Sequence, residues 1–543
     1  MRKTLLSTLA VALLLCGSSR ATAEESKPVV VVTATSVDRL IANVDTLGEM
    51  AESQFFTNIA KAYAVSFARG VDKTKPAGIL VTTDGAGFRI IGFVPVTDFK
   101  AVMTTLRGED AGDGAYEVRL GRERAFAKKQ GNWAFVSNDL KSLEDLPADP
   151  EKMIAGQEKE YDVCIRALVQ NVPEHLRDLA VGALKTGVQL ADRLDGESEE
   201  EFEARMKTAT SAIDDLIEVI DDTEHVTIGW SVDDKEKKTF LDFNWVAKSG
   251  SSTAKKFAGY ENATTRFSGF HLADAAAKYN MSFKVSKEDA DQTIAAMKSV
   301  RDQLLKEFES NADFDTDEQR AAVKGAINSS LDALEATIDS GKFDGAASVV
   351  LKSDAVTFAA GGHVAEAGKV EKAVKEVVAA FKDQPGLPEI ELDADSHAGV
   401  RIHTMSVPLP DPQATRLFGD NLDIVVGFGD SSVYVAVGRD AMNTLKDAID
   451  KSKAAGETSV SPVEFTVAAG SIVDFAASLQ ADNPIAGMLA DEAAKFKGKD
   501  HLRMVVRPIP NGFSSRMEVE HGVINLIGKA IGAFAAAGGR GAF

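Results

Sequence analysis

Short runs of alternating apolar and polar residues recur along the chain in a fixed order, with helical patterns between them. Residues 77–81 read as a strand, Asp84-Gly85-Ala86-Gly87 as a turn, and 88–94 as a second strand leading into a helix near Asp98. Two β runs joined by Asp/Gly chemistry predict a hairpin. The same order returns at 226–232 and 239–246 with a helix after Ser251, at 347–351 and 356–360 with a helix after Glu366, and at 502–506 and 514–519 with a helix after His521. Each hairpin is preceded by a strand that feeds one or two helices: 29–32, 161–169, 281–285 and 463–467. The predicted module is β-α-β-β-α, present four times.

The second and third modules carry a longer helical insert. Both inserts open on capping-box patterns, Ser198-Glu199-Glu200-Glu201 and Thr316-Asp317-Glu318-Gln319, in which the hydroxyl and the third-residue side chain satisfy free N–H groups reciprocally. Phe202, Met206, Ile213, Leu216 and Ile220 then share one helical face, as do Val323, Ile327, Leu331, Leu334 and Ile338, which is a core stripe. Asp84 and Asp354 lie 270 residues apart, and Asp233 and Asn511 lie 278 apart. The first and third modules also share a strand-rich insert ending at Trp133–Asp139 and Tyr434–Asp440. These offsets predict an internal duplication with halves 24–276 and 277–543. The expected fold class is α+β, with antiparallel sheets covered by helices in the split β-α-β, ferredoxin-like manner. That fold names no function.

The N-terminus changes where the chain is expected to work. Met1-Arg2-Lys3, an apolar stretch from Leu5 to Leu15 and Ala21-Thr22-Ala23 before Glu24 have the form of a secretory signal peptide, residues 1–23. Its apolar run is too short to span a membrane, and no later stretch is long enough, so no transmembrane segment is expected after cleavage. Cys16 as a lipidation site is the competing reading, but Leu14-Leu15 are not the small residues that such a signal needs. Losing Arg2, Lys3 and Arg20 takes the formal charge from −21 to −24. Such a surface repels phosphate backbones and anionic lipid, so nucleic acid is not an expected partner. Cys164 remains as the only thiol, and stability must come from apolar burial in a periplasmic or extracellular setting that permits disulfides.

The runs Asp72-Lys73-Thr74-Lys75-Pro76-Ala77-Gly78, Gly92-Phe93-Val94-Pro95-Val96-Thr97-Asp98 and Asn171-Val172-Pro173-Glu174 resemble those of large signal-peptide-bearing exported bacterial proteins of uncharacterised function. The resemblance extends over most of the mature chain and implies export. It implies no activity and assigns no functional residue.

Candidate chemistry is sparse. Asp393, Asp395, His397, Arg401 and His403 occupy odd positions while Ile390, Leu392, Ala394, Val400 and Ile402 occupy even ones. With a turn near 396–399, the two strands would set Asp393, Asp395, His397 and His403 on one face as ligands for a transition metal. A half-exposed sheet face has the same alternation. Asn311, Asp313, Asp315 and Asp317 alternate like a calcium loop but have Thr316 and Ala322 where Gly and Glu are needed, so they read as an acidic linker capped at Thr316. Ser252-Thr253-Ala254-Lys255 and Lys185-Thr186-Gly187 match two penicillin-binding motifs in the wrong order; capping by Ser251 or Ser252 is the plainer role. Cys164 sits in apolar alternation as a small core residue, and His175, His225, His271, His363, His501 and His521 are scattered. Ile524, Ile527, Ile531 and Phe534 form a stripe on a C-terminal helix, expected to pack on its own sheet.

No nucleophile elbow, phosphate-binding loop or paired Cys-x-x-Cys is present, so no catalytic residue and no cofactor is assigned. The expected function is that of a non-enzymatic exported protein that binds a protein or small ligand, or has a structural role, through its repeated sheets. The alternative is a metal-dependent periplasmic hydrolase with its site near His397 and His403.

Overall fold

The strand pairings within each unit of the computed structural model are antiparallel, and helices are interspersed along the chain, so the fold class is α+β. The structure describes residues 27–536 apart from 54–56, 59–60, 63–67, 86, 122, 145, 155, 194–196, 312–313, 315 and 481. The signal segment with Cys16, and Asp313 and Asp315 of the acidic run, lie outside the described residues. Contacts divide the chain into two units: one runs to Ala254 and includes Pro510–Gly512, and the other comprises Lys255–Ile509 and the residues from Phe513.

The first unit contains β1 (Lys27–Ala34), β2 (Ala77–Thr83), β3 (Phe88–Pro95), β4 (Glu109–Gly112), β5 (Ala115–Leu120), β6 (Glu123–Gln130), β7 (Trp133–Ser137), β8 (Val163–Ala167), β9 (Thr223–Asp233) and β10 (Lys238–Ala247). Neighbours run β4-β5-β6-β7-β3-β2-β1-β8-β9-β10. In a split β-α-β the two strands joined by the helix run parallel with another strand inserted between them, so all neighbours in that sheet are antiparallel. Here Ala34 at the end of β1 faces Ala77 at the start of β2, so the connection through the Val37–Met50 helix returns the chain to the edge it left. The ferredoxin-like strand order is therefore replaced by one in which β1 and β2 are direct antiparallel neighbours.

Alternation in β1 sends Val29, Val31 and Thr33 inward. Val31 joins Leu80, Phe93, Trp133, Phe135 and Ile154 in a core, where each large apolar side chain contributes roughly 1.5–3 kcal/mol. Polar residues share this inner face. Asp162 is fully buried, accepts from Ser231 Oγ at 2.9 Å and the Val232 N–H at 2.8 Å, and pairs with Arg39 at 2.6 Å. The Tyr161 hydroxyl donates to Asp242 at 3.0 Å and accepts from Asn244 at 3.1 Å.

The outer face also carries an apolar row. Ile79, Val32, Ile165, Ile228 and Phe243 are successive cross-strand partners over β2, β1, β8, β9 and β10. Ile79, Ile165 and Ile228 are each more than 40% exposed.

The second unit contains β11 (Thr264–Thr265), β12 (Ala277–Lys284), β13 (Lys342–Lys352), β14 (Ala355–His363), β15 (Glu389–His397), β16 (Val400–Pro408), β17 (Asn421–Phe428), β18 (Ser432–Val437), β19 (Thr458–Ser459), β20 (Val463–Ala468) and β21 (His501–Ile509), with β22 (Gly512–Glu520) beginning in the segment shared with the first unit. Its neighbours run β15-β16-β17-β18-β14-β13-β12-β20-β21, while β11 pairs with β19. The core centres on Phe267, Phe270, Ile402, Val425 and Leu445.

Thr316 caps the Asp317–Asp339 helix by accepting the Gln319 N–H. The C-terminal helix His521–Ala536 differs from expectation. It buries Asn525 and Leu526, so Ile527, Ile531 and Phe534 point to solvent instead of packing. Among the described residues, no helix is long and apolar enough to cross a membrane.

Candidate functional site

The β15–β16 hairpin forms where the alternation predicts it, but it does not collect the four candidate residues on one face. Its turn is the two residues Ala398 and Gly399, both with positive φ, so His397 faces Val400 and Asp395 faces Ile402. An odd position on one strand therefore shares a face with an even position on the other. Asp395 and His397 lie on the side of Val400 and Ile402, and Arg401 and His403 lie on the opposite side. Asp393 adopts φ +54 in a bulge where Leu392, Asp393 and Ala394 together oppose His403, and bulges of this kind re-aim side chains.

Two separate clusters result, each anchored by a helix. On one side the Ala441–Ala455 helix brings Lys446 to Asp395 and Asp450 to His397 Nε2, the latter at 2.7 Å. Asp395 is held below the usual carboxylate range by Lys446 and then by the Ser396 N–H. On the other side the Ala367–Phe381 helix supplies Glu371 and Lys375. Glu371 accepts from Arg401 Nε at 2.8 and 2.9 Å and from Arg401 Nη2 at 2.5 Å, and lies 3.1 Å from Lys375 and 3.2 Å from His403 Nε2. Arg401, opposed by burial and helped by Lys375, lowers the Glu371 carboxyl to about 2.

His403 is only 4% exposed, so it does not belong to a solvated face. Its Nδ1 accepts the Asp393 N–H at 2.8 Å, which assigns the ring proton to Nε2, toward Glu371. Glu371, Asp393 and His403 offer donor atoms within 4.8 Å of one another, and no other such group occurs among the described residues. Lys375 Nζ already sits 2.8 and 2.9 Å from the two Asp393 oxygens and 3.1 Å from Glu371. A divalent ion would have to displace that ammonium and remove the Nε2 proton. As built, two carboxylates meet two permanent cations, and the cluster fastens a helix to a hairpin.

Glu371 escaped the sequence reading because it lies thirty-odd residues upstream on a helix whose apolar stripe looks ordinary. Its only local signal is the Glu371/Lys375 spacing of four, which many solvent-facing pairs share.

The remaining candidates stay apart. Lys185-Thr186-Gly187 is inside the Glu174–Gln189 helix, with Lys185 paired to Asp214 at 3.0 Å, and the Ser251 hydroxyl accepts the Ala254 N–H at the start of the next helix. Cys164 is buried, and that burial raises its thiol to about 11. His501 pairs with Glu520 at 3.0 Å and His363 with the Ser431 carbonyl at 2.9 Å. His271 instead lines a cleft of about 800 Å³ in the second unit that no motif or spacing announces.

No family model, curated protein or solved structure matches the chain.

Proposed function

We propose that this chain is an exported, non-enzymatic binding protein built by internal duplication, and that it binds an apolar partner through the outer face of its sheets. The observation that carries the reading is the unbroken row from Ile79 to Phe243, five strands wide and partly open to water. Single exposed apolar residues are ordinary, whereas a contiguous patch marks an interaction surface. The second unit has a comparable row, Ala347, Tyr279, Phe465 and Met504, in which the last three are exposed.

Supporting the duplication, β4 to β9 and β15 to β21 lie in the same neighbour order around β1 and β12. Each first strand is followed by a long connection and then a hairpin that pairs back on it. Supporting export are the signal-like residues 1–23, the resemblance to exported bacterial proteins, and an acidic surface that keeps a chain with open apolar faces soluble.

The test uses N-phenyl-1-naphthylamine, a neutral apolar probe that the net charge does not repel. The folded mature protein should take it up saturably, and the Ile165→Thr, Ile228→Thr variant, which keeps β-branching, should lose most of that uptake. A folded wild-type protein that takes up none defeats the reading. A metal-dependent hydrolase at the β15–β16 hairpin draws support from the three converging donors, and it requires Lys375 to leave them.

A further inference from the structure

The two units treat one position of the sheet in opposite ways. Thr33 faces Cys164, the second residue of β8, and Asn280 faces Glu464, the second residue of β20. In the first unit this place is filled. Thr33 is fully buried and donates to Gln157 Oε1, and two residues before β8 the Tyr161 ring lies so close over Gly229 that a Cβ there would be 2.4 Å away. Val31, two residues before Thr33, belongs to the core.

In the second unit the residue two before β20 is Ser461, too short to fill that space, and Lys278 stands where the register puts Val31. The result is a cleft of about 800 Å³ lined by Tyr260, His271, Lys278, Asn280, Ser461 and Arg507.

The polar groups of this cleft are incompletely used. Asn280 is 4% exposed; its amide donates to the Ser461 carbonyl at 2.9 Å while Oδ1 has no partner among the described residues. A buried acceptor left unpaired costs roughly 1–3 kcal/mol, and such a group calls for an explanation. Lys278 and Arg507 have no acidic partner within 4.0 Å among the described residues. Glu464, the acid in the wall, is already held by Arg503 at 2.9 Å. Burial lowers the pKa of His271, so the ring is neutral near pH 7. A chain of net charge −21 thus keeps a locally cationic cleft of ordinary ligand size.

We propose that this cleft binds a small hydroxylated molecule carrying one oxyanion, with Lys278 and Arg507 holding the anion and Asn280 Oδ1 accepting from a hydroxyl. Charge-assisted hydrogen bonds supply the affinity, and the neutral acceptor selects for the hydroxyl. The carboxylate of an acidic sugar and a sugar phosphate share this chemistry.

Calorimetric titration of the full mature protein with D-glucuronate, glucose 6-phosphate and D-glucose separates the two sources. One or both anions should bind, with glucose at least tenfold weaker; preference for glucuronate identifies a carboxylate ligand, and preference for the phosphate identifies a phosphorylated one. Lys278→Met with Arg507→Met should weaken binding at least tenfold. Arg507 is exposed, so Arg507→Gln alone keeps the test open if the double variant does not fold. The Ile165→Thr, Ile228→Thr variant should bind these probes like wild type, which separates this inference from the outer-face reading. Failure of both anions to bind, equal binding of glucose, or wild-type affinity in a folded Lys278/Arg507 variant overturns it.

Discussion

Replacing Glu371 by Gln removes one charge from a cluster that fastens the Ala367–Phe381 helix to β16, and its effect follows from the geometry. The carboxyl moves from an ordinary 4.5 to about 2, chiefly through Arg401. At ~1.36 kcal/mol per pH unit this caps the electrostatic stabilisation near ~3.4 kcal/mol. Arg401 and Lys375 are 42% and 33% exposed in their side chains, and solvent screening reduces the figure, to about 2 kcal/mol. Because the folded-state pKa is depressed, this contribution is complete above about pH 4.5 and disappears as pH falls toward about 2. Urea unfolding of wild type and Glu371→Gln should therefore differ by about 2 kcal/mol at pH 7 and converge as the pH falls through that window. A difference within ~0.5 kcal/mol at pH 7, or one that is as large at pH 3 as at pH 7, refutes the clamp. So does stoichiometric zinc or manganese in the purified protein that is lost in the His403→Ala variant.

The two histidines of the hairpin should behave differently by the same assay. His397→Ala removes only a partly exposed pair with Asp450 and should change stability by no more than ~0.5 kcal/mol, whereas His403→Ala removes a buried ring with partners at both nitrogens and should cost about 2 kcal/mol; equal costs would contradict the two-cluster geometry. Gly229→Ala should cost about 1–3 kcal/mol, since the new Cβ meets a Tyr161 ring that Asp242 and Asn244 hold in place, and a neutral result would show that the ring is free to move.

Much of the secondary structure was legible because its signals are local. The hairpins at β2–β3, β9–β10 and β13–β14 fall where Asp and Gly turns separate apolar alternations, and the Thr316 cap falls where its Thr-x-x-Gln pattern puts it. Strand neighbours were not legible. The same β-α-β-β string fits a split β-α-β or the observed order with β1 and β2 adjacent, and the choice depends on where the helical connection returns the chain. At the candidate site, alternation was read correctly along each strand and incorrectly across the pair. The face shared by β15 and β16 depends on turn length: the two-residue Ala398-Gly399 turn sets odd positions opposite even ones, and only a turn with an odd number of residues would set odd opposite odd. Glu371 and Lys375 come from a helix distant in sequence, and no spacing rule connects them to His403.

The same dependence on context explains why the outer face and the cleft were both missed. Ile79, Ile165 and Ile228 look like core residues in any one strand, because alternation gives two faces without saying which one the helices cover. Here the inner face carries the fully buried Thr33, Asp162 and Asp242 beside the apolar core. Burial on that side is made tolerable by local hydrogen bonds, among them those of Asp162 to Ser231 and of Tyr161 to Asp242. At the matching register the second unit has Ser461 where the first has the Tyr161 ring, and Lys278 where the first has Val31. A cation in place of a core side chain is stable only if water or an anion reaches it, so the register that buries Val31 obliges the second unit to stay open at Lys278. An open, cationic space beside an unpaired Asn280 acceptor thus follows from Ser461 and Lys278 at these two places, and on the proposed binding a ligand that satisfies both groups would be recognised by the second unit.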